Sequence, residues 1–330
     1  CFPEPFASGR ADHEATGSKF QSYILIAMDR RQFLFQSSML AAGTLLPFTH
    51  NSAIDSGTFT TLRRNVGYYT ERGGTIGYLA AADGLVIVDS QYPETANHCL
   101  NGLEHRTTHP LDLLINTHHH GDHTSGNPVF KGRAQKMVAH KNVPKLMKKA
   151  ADESNANAED QPAYPTTTFS ENWQMDAGDE VIHAAYYGPA HTSGDAVIYF
   201  EKANIVHTGD LVFNRMNPYT DRPSGGSIQN WIKVLKEIEE SYPADAQFIF
   251  GHGKPDFGVT GGQADLKVMR QYLSAVWEYV EQGLQQNKSK EEIASIKELR
   301  GFEHFLYANF WTLPDNFKVA YDEITASDNE

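Results

Sequence analysis

Thr117-His118-His119-His120-Gly121-Asp122-His123 is the stretch on which the reading of this chain turns. His118, His120, Asp122 and His123 stand there at metal-ligand spacing, in one short polar turn. Imidazole and carboxylate are ligands that a borderline ion such as zinc accepts readily. Folding alone asks for no such cluster. The turn follows a strand-like run, Leu111-Asp112-Leu113-Leu114-Ile115-Asn116. Alternate side chains of an extended backbone share a face, so His118 and His120 can chelate one ion while His119 points away. Gly121 then permits a sharp turn that bulkier residues resist. Asp122 and His123, adjacent but differently directed, can address a second ion.

Three distant segments offer to complete the ligand shells. Gly188-Pro189-Ala190-His191-Thr192-Ser193-Gly194-Asp195 presents His191, Ile205-Val206-His207-Thr208-Gly209-Asp210 presents Asp210, and Phe248-Ile249-Phe250-Gly251-His252-Gly253 presents His252. Each lies at or near the end of a strand-like run, beside glycine or a turn, where a side chain is held rigidly yet left open to substrate. Asp89 ends the run Leu85-Val86-Ile87-Val88, where a carboxylate could hold a ligand imidazole by its other nitrogen. The alternative for Asp89 is a turn-capping role. Thr192 and Asp195 are weaker candidates for such support. The isolated His98, His105, His140, His183, His207 and His304 read as surface or satisfied core residues, and His119 as a packed or solvated ring that could touch substrate.

Around this cluster the text alternates between strands and helices. Residues 58–90 are rich in β-branched and aromatic residues, punctuated by Gly73-Gly74 and Asp83-Gly84 as hairpin turns. The continuous apolar run 85–88 suits a strand buried on both faces. The spacing predicts a helix over 93–104, a basic helical stretch over 142–151, a polar linker over 152–163, and strands near 180–186, 196–200, 205–208 and 248–250. Ser227 is placed to cap a helix running to 240, with Ile228, Trp231, Ile232, Leu235 and Ile238 on one face. From Gln263 onward the pattern is mainly helical, and this part reads as structural, a cover for a sheet face or a dimer contact. Strands followed by a helix occur in both halves, so the expectation is a sandwich of two mixed sheets with outer helices.

Composition sets the outer limits. The 330 residues, 40% of them hydrophobic, allow a substantial core. The formal charge of -13 speaks against a sequence-independent grip on nucleic acid, which needs a basic surface. It leaves a small-molecule substrate open, because bound metal ions can make an acidic protein locally cationic. The two cysteines, Cys1 and Cys99, rule out a disulfide framework.

Met28-Asp29-Arg30-Arg31-Gln32-Phe33-Leu34 precedes a mildly apolar stretch over 35–48. Paired arginines before such a segment resemble a twin-arginine export signal, too short and too polar for a stable membrane span. The expected organisation is a leader of non-native or unstructured character over 1–27, the signal segment over 28–53, and one domain over 54–330 whose helical part begins near 263. The expected location is the periplasm or another exported compartment.

The string His118-x-His120-x-Asp122-His123, followed in order by His191, Asp210 and His252, resembles the metallo-β-lactamase superfamily over residues 58–255. The motif is specific for the fold and much less so for the substrate. The resemblance implies an α+β chain folded as an αββα sandwich with metals at one edge between the sheets. It implies one zinc on His118, His120 and His191, a second on Asp122, His123 and His252, and Asp210 bridging them, with iron or manganese as alternative metals. It also implies a shared water of lowered pKa whose hydroxide attacks the substrate, with Asp122 as a catalytic ligand that orients it or handles a proton.

Aspartate at position 210 matches the pattern of hydroxyacylglutathione hydrolases, lactonases and other ester or thioester hydrolases. Zinc β-lactamases that resemble this chain generally place cysteine or serine there, so the expected target is an ester, thioester, lactone or related amide bond of a small molecule, with β-lactam hydrolysis as the alternative. Persulfide dioxygenases, with one iron on two histidines and an aspartate, share part of the motif and are the oxidoreductase alternative. Loop residues Tyr68, Tyr69, Phe213, Asn214, Arg215 and Tyr219 are expected to line the substrate mouth or to pack ordinarily. Arg215 is a candidate for binding a carboxylate. Oligomeric state stays open, a dimer included.

Overall fold

A computed structural model of the chain describes residues 57–154, 161–305 and 311–327. The expected leader and export segment, and part of the polar linker, lie outside the described residues. The first sheet opens with an antiparallel meander, β1 (Thr58–Arg63), β2 (Val66–Thr70), β3 (Ile76–Ala81) and β4 (Gly84–Val88). Helix α1 (Pro93–Glu104) then crosses over to β5 (Leu113–Asn116), which is parallel to β4. The short helices α2 (Gly121–Thr124) and α3 (Asn127–Phe130) lead to β6 (Lys136–His140), and α4 (Val143–Ser154) precedes β7 (Thr167–Phe169). These seven strands stand in chain order in one sheet, its second half parallel.

The second sheet begins with β8 (Asn172–Ala177), β9 (Glu180–Ala185), β10 (Val197–Phe200) and β11 (Ile205–His207), each antiparallel to the next. After β12 (Phe213–Asn214) and helix α5 (Ile228–Ser241), β13 (Gln247–Ile249) returns parallel to β11. The strand β14 (His252–Gly253) pairs with β12, and β15 (Thr260–Gly261) closes the edge of the second sheet beside β13. Helices α6 (Gln263–Gln285), α7 (Lys290–Ile293) and α8 (Leu313–Ser327) complete the described chain.

The two-residue period of the strands decides the layers. Val86, Val88, Leu113 and Ile115 of the first sheet meet Ile182, Ala184, Ile198, Ile205 and Ile249 of the second in one buried cluster. Leu85, Ile87 and Leu114 turn the other way, onto Ala96, Cys99, Leu100 and Leu103 of α1. Val197, Val206 and Phe248 face Trp231, Leu235, Leu266, Leu273 and Phe317 of α5, α6 and α8. The result is the expected αββα sandwich. Both sheets are covered on their outer faces, which is why their central strands read as continuous apolar runs.

The cap at Ser227 forms as expected, its hydroxyl accepting from Asn230 N at 3.1 Å. Along α5, Val234 is fully buried, while the expected Ile232 lies partly exposed at the edge of the buried stripe. The expected stripe of α6, from Leu266 through Val280, is buried as read. Strands β6 and β8 had no clear sequence signature. β6 is only five residues long between a turn and a basic helix. β8 is an edge strand of polar residues, Asn172-Trp173-Gln174-Met175-Asp176-Ala177.

Candidate metal centre

Strands β4 and β5 run parallel and end at the same edge of the sandwich, which brings Asp89 beside the 117–123 turn. Asp89 N donates to Ile115 O, and Thr117 N and Oγ1 both donate to the Asp89 carboxylate at 2.7 Å. Asp89 sits at φ 65°, a left-handed backbone that non-glycine residues seldom adopt, and the bonds to its carboxylate hold it there. The chain then turns at Gly121 into α2. A Cβ at Gly121 would meet only Ser125 Oγ, at 3.1 Å, so the expected steric need for glycine at that turn is not met there. The need falls on Gly74 and Gly251 instead. A Cβ on Gly74 would lie 2.1 Å from His123 Cε1, and one on Gly251 would lie 1.9 Å from Asp210 Oδ1.

All seven expected ligand residues converge on this edge. Donor atoms of His118, His120, His191 and Asp210 lie within 4.8 Å of one another, and those of Asp122, His123 and His252 do the same. Asp210 stands between the two groups. Its Oδ1 is 3.1 Å from His123 Nε2, and its Oδ2 is 3.3 Å from His252 Nε2 and 3.6 Å from His191 Nε2. The side chains of His120, Asp122 and His252 remain about a fifth exposed, so the open side of the site is theirs.

Four imidazoles are fixed through the nitrogen that faces away from the cluster. His123 Nδ1 is 2.8 Å from Asp89 Oδ2, His118 Nδ1 is 3.1 Å from Thr117 Oγ1, and His191 Nδ1 donates to the Tyr219 carbonyl at 2.5 Å. His120 Nε2 lies 3.0 Å from Asp221 Oδ2. Such partners fix both ring orientation and tautomer. Asp89 thus makes both contacts weighed for it, one to a candidate-ligand imidazole and one to the backbone of the following turn. Asp221 escaped the sequence reading, because Asp221-Arg222-Pro223-Ser224-Gly225-Gly226 reads as a turn, and Asp221 does cap that turn.

The electrostatics fit cations. Burial alone would raise Asp210 and Asp122, but His252 and His123 hold both carboxyls well below the usual range. Against the opposing effect of burial, Asp210 and Asp122 push His252 up to about 10, and Asp210, Asp122 and Asp89 raise His123. Burial and neighbouring histidines drive His118 down, and His191 down to about 4, so both rings are neutral with lone pairs available. His118 Nε2 and Asp210 Oδ1 are buried without a hydrogen-bond partner. His120 Nδ1 and His191 Nε2 face each other at 2.9 Å. Neutral His118 and His191, ionised Asp210 and Asp122, and buried atoms left unsatisfied form a donor set that divalent metal ions would complete, displacing the protons that the carboxylates favour on His123 and His252.

The remaining candidates divide. Phe213 stacks on His252 with ring centroids 5.4 Å apart, and Tyr219 lies over His120 at 5.5 Å, so both line the site. Tyr69 is buried on the outer face of the first sheet, and Tyr68 packs against the core between the sheets. Asn214 is used up by the carbonyls of Phe257 and Gly258, and Arg215 pairs with Asp265 at 3.0 Å instead of facing Asp210. Asp195 braces the His191 loop by accepting from Thr192 N and Oγ1, while burial pushes its carboxyl up to about 7. His119 does point away from the cluster, to Ser224 Oγ at 3.3 Å. His207 is buried between Thr75 O and Gly209 N, and His183 pairs with Glu201 at the surface.

Comparison with known proteins agrees with this geometry. Residues 69–252 match the family described as the metallo-beta-lactamase superfamily. A metallo-beta-lactamase type 2 from Elizabethkingia meningoseptica is 21% identical over 176 residues, spanning 53% of this chain and 67% of the relative. A probable metallo-hydrolase from Methanocaldococcus jannaschii is 28% identical over 188 residues, spanning 54% of this chain and 86% of the relative. The solved metallo-beta-lactamase from Pontibacter korlensis superposes with a TM-score of 0.54 at 18% identity, covering 66% of this chain and 99% of its own. With the family pattern matched over more than half its length and both sheets arranged as in its solved relatives, this chain belongs to the metallo-β-lactamase superfamily, as a metal-dependent hydrolase.

Proposed function

We propose that the chain is a binuclear zinc hydrolase that cleaves an ester, thioester or lactone bond of a small molecule. The observation that carries this reading is Asp210, a carboxylate set between two imidazole groups and within 3.3 Å of His123 and His252 nitrogens. His118, His120 and His191 would hold one cation, Asp122, His123 and His252 the other, and Asp210 both. Cations held there supply Lewis acidity and lower the pKa of water.

The protein's own groups do the rest. Asp122, ionised and on the open side, orients the attacking water; its depressed pKa makes it a poor proton store. Phe213 and Tyr219 form an apolar wall that limits water around the reacting bond. Asp89 and the Tyr219 carbonyl keep His123 and His191 from rotating away.

Relatives that are metallo-β-lactamases favour a second reading, hydrolysis of a cyclic amide. The test is zinc-loaded protein assayed against lactones, thioesters, phosphodiesters and a chromogenic cephalosporin, with metal content measured in parallel. Turnover of lactones or thioesters supports the first reading, and turnover of the cephalosporin alone overturns it. Activity that follows bound iron and consumes oxygen would move the chain to the dioxygenase class. Export is proposed on the paired Arg30 and Arg31 ahead of the mildly apolar stretch over 35–48.

A further inference from the structure

The inward-facing histidines are not all held by the same part of the fold. Asp89 and Thr117, at the ends of β4 and β5, support His123 and His118. His120 and His191 depend on one other stretch, residues 219–227. There the Tyr219 carbonyl accepts from His191 Nδ1 at 2.5 Å, and Asp221 Oδ2 lies 3.0 Å from His120 Nε2. Backbone bonds clasp this stretch to the His191 loop: Asp221 N to His191 O at 2.9 Å, Ser193 N to Ser224 O at 3.0 Å, and Ser227 N to Ala190 O at 2.8 Å.

The same stretch is tied from behind by the last described helix. Glu323 of α8 is only 7% exposed. Its carboxylate accepts from Ser227 Oγ and from Ile228 N, the latter at 2.9 Å, and lies 3.7 Å from Arg222 Nη1. That arginine donates in turn to Gly226 O at 2.8 Å. Trp311, just before α8, packs edge-on against Tyr219 with centroids 4.7 Å apart. A buried carboxylate with this set of partners fixes the start of α5 and the turn that carries Asp221.

We propose that Asp221 is the positioning residue for His120, and that Glu323 on the C-terminal helix holds the 219–227 stretch in the place that lets it act. The helical part beyond 263 is then more than a cover for the second sheet. It acts on the His118, His120 and His191 cluster through two of its three imidazoles, and leaves His123 of the other cluster to Asp89. The physical reason is tautomeric. His120 offers Nδ1 inward only while its Nε2 carries the proton, and Asp221 is the acceptor that keeps it there. Without it the ring can reverse its protonation and present an N–H to the cation.

This inference rests on the two-cation reading, and its test separates the two. Full-length protein is titrated with zinc against a chromophoric chelator, and the cobalt-substituted form is followed by visible absorption. Wild type is expected to take two equivalents. Asp221→Ala and Glu323→Ala are each expected to weaken one equivalent by about 10- to 100-fold and leave the other unchanged. Asp221→Asn and Glu323→Gln, which keep the shape and one acceptor oxygen, should recover part of the loss. The cobalt spectrum should change for one site only. Wild-type affinity at both sites in the two alanine variants overturns the inference while leaving the two-cation reading intact. So does loss of both equivalents in step with the melting temperature, since that marks a purely structural role. Wild-type protein that takes up no zinc overturns both.

Discussion

The close approach of Gly74 to His123 gives the sharpest test of the site. The ring of His123 is fully buried and tied to Asp89 at 2.8 Å, so it cannot swing away. The backbone at Gly74 is equally fixed. Its N–H donates to Asp122 O at 3.1 Å, its carbonyl accepts from Gln91 Nε2 at 2.7 Å, and Thr75 N donates to Gly251 O at 2.9 Å. In Gly74→Ala the new carbon would stand 2.1 Å from His123 Cε1, where real Cβ atoms essentially never come closer than 3.0 Å. One of two pinned groups must therefore yield by roughly 1 Å, an overpacking that typically costs about 1–3 kcal/mol. A displacement of that size in a reacting constellation costs about 100-fold in rate. Urea unfolding and kcat/KM of the zinc-loaded protein measure the two effects. Gly262→Ala, with nothing within 4 Å of its added carbon, is the control and should keep its turnover. A Gly74→Ala protein within about 0.5 kcal/mol of wild type and equally active would refute the reasoning, because the pinned contact would then not exist.

Other outcomes follow from the same contacts. Asp210→Ala or His118→Ala should abolish turnover while circular dichroism stays native; undiminished activity in either would remove the site assignment. Chelation should lower the melting temperature, and added zinc should restore it, since stripping the ions leaves buried His118 Nε2 and Asp210 Oδ1 unsatisfied. His140, buried and stacked on Tyr186 at 3.9 Å, is pushed down to about 4 by burial and by Lys141 and Lys145. Its folded pKa lies below its unfolded value near 6.5, so the unfolded chain takes up the proton first. The stability it contributes is complete above that value and is lost as pH falls towards 4. His140→Phe should flatten that limb of the stability curve, and an unchanged slope would count against the assignment. Replacing both Arg30 and Arg31 with lysine should retain the protein in the cytoplasm; normal export would reject the signal reading.

The sequence alone determined the candidate donor set and the layer pattern. Histidine and aspartate at 118, 120, 122 and 123 form a local motif, readable because its residues are neighbours along the chain. His191, Asp210 and His252 were readable because each lies near the end of an apolar run. The runs themselves announced strands covered on both faces, and the period of α6 announced its buried stripe. Tertiary structure alone decided what supports those ligands. Asp221 is 101 positions from His120 and sits in an ordinary-looking turn, and Glu323 is 96 positions from Ser227. It also decided that glycine is required at Gly74 and Gly251, not at Gly121, and that Arg215 spends its charge on Asp265. The physical reason is one of range. A ligand is recognised by what it is, but a supporting hydrogen bond or a forbidden Cβ is defined only by what the fold brings against it.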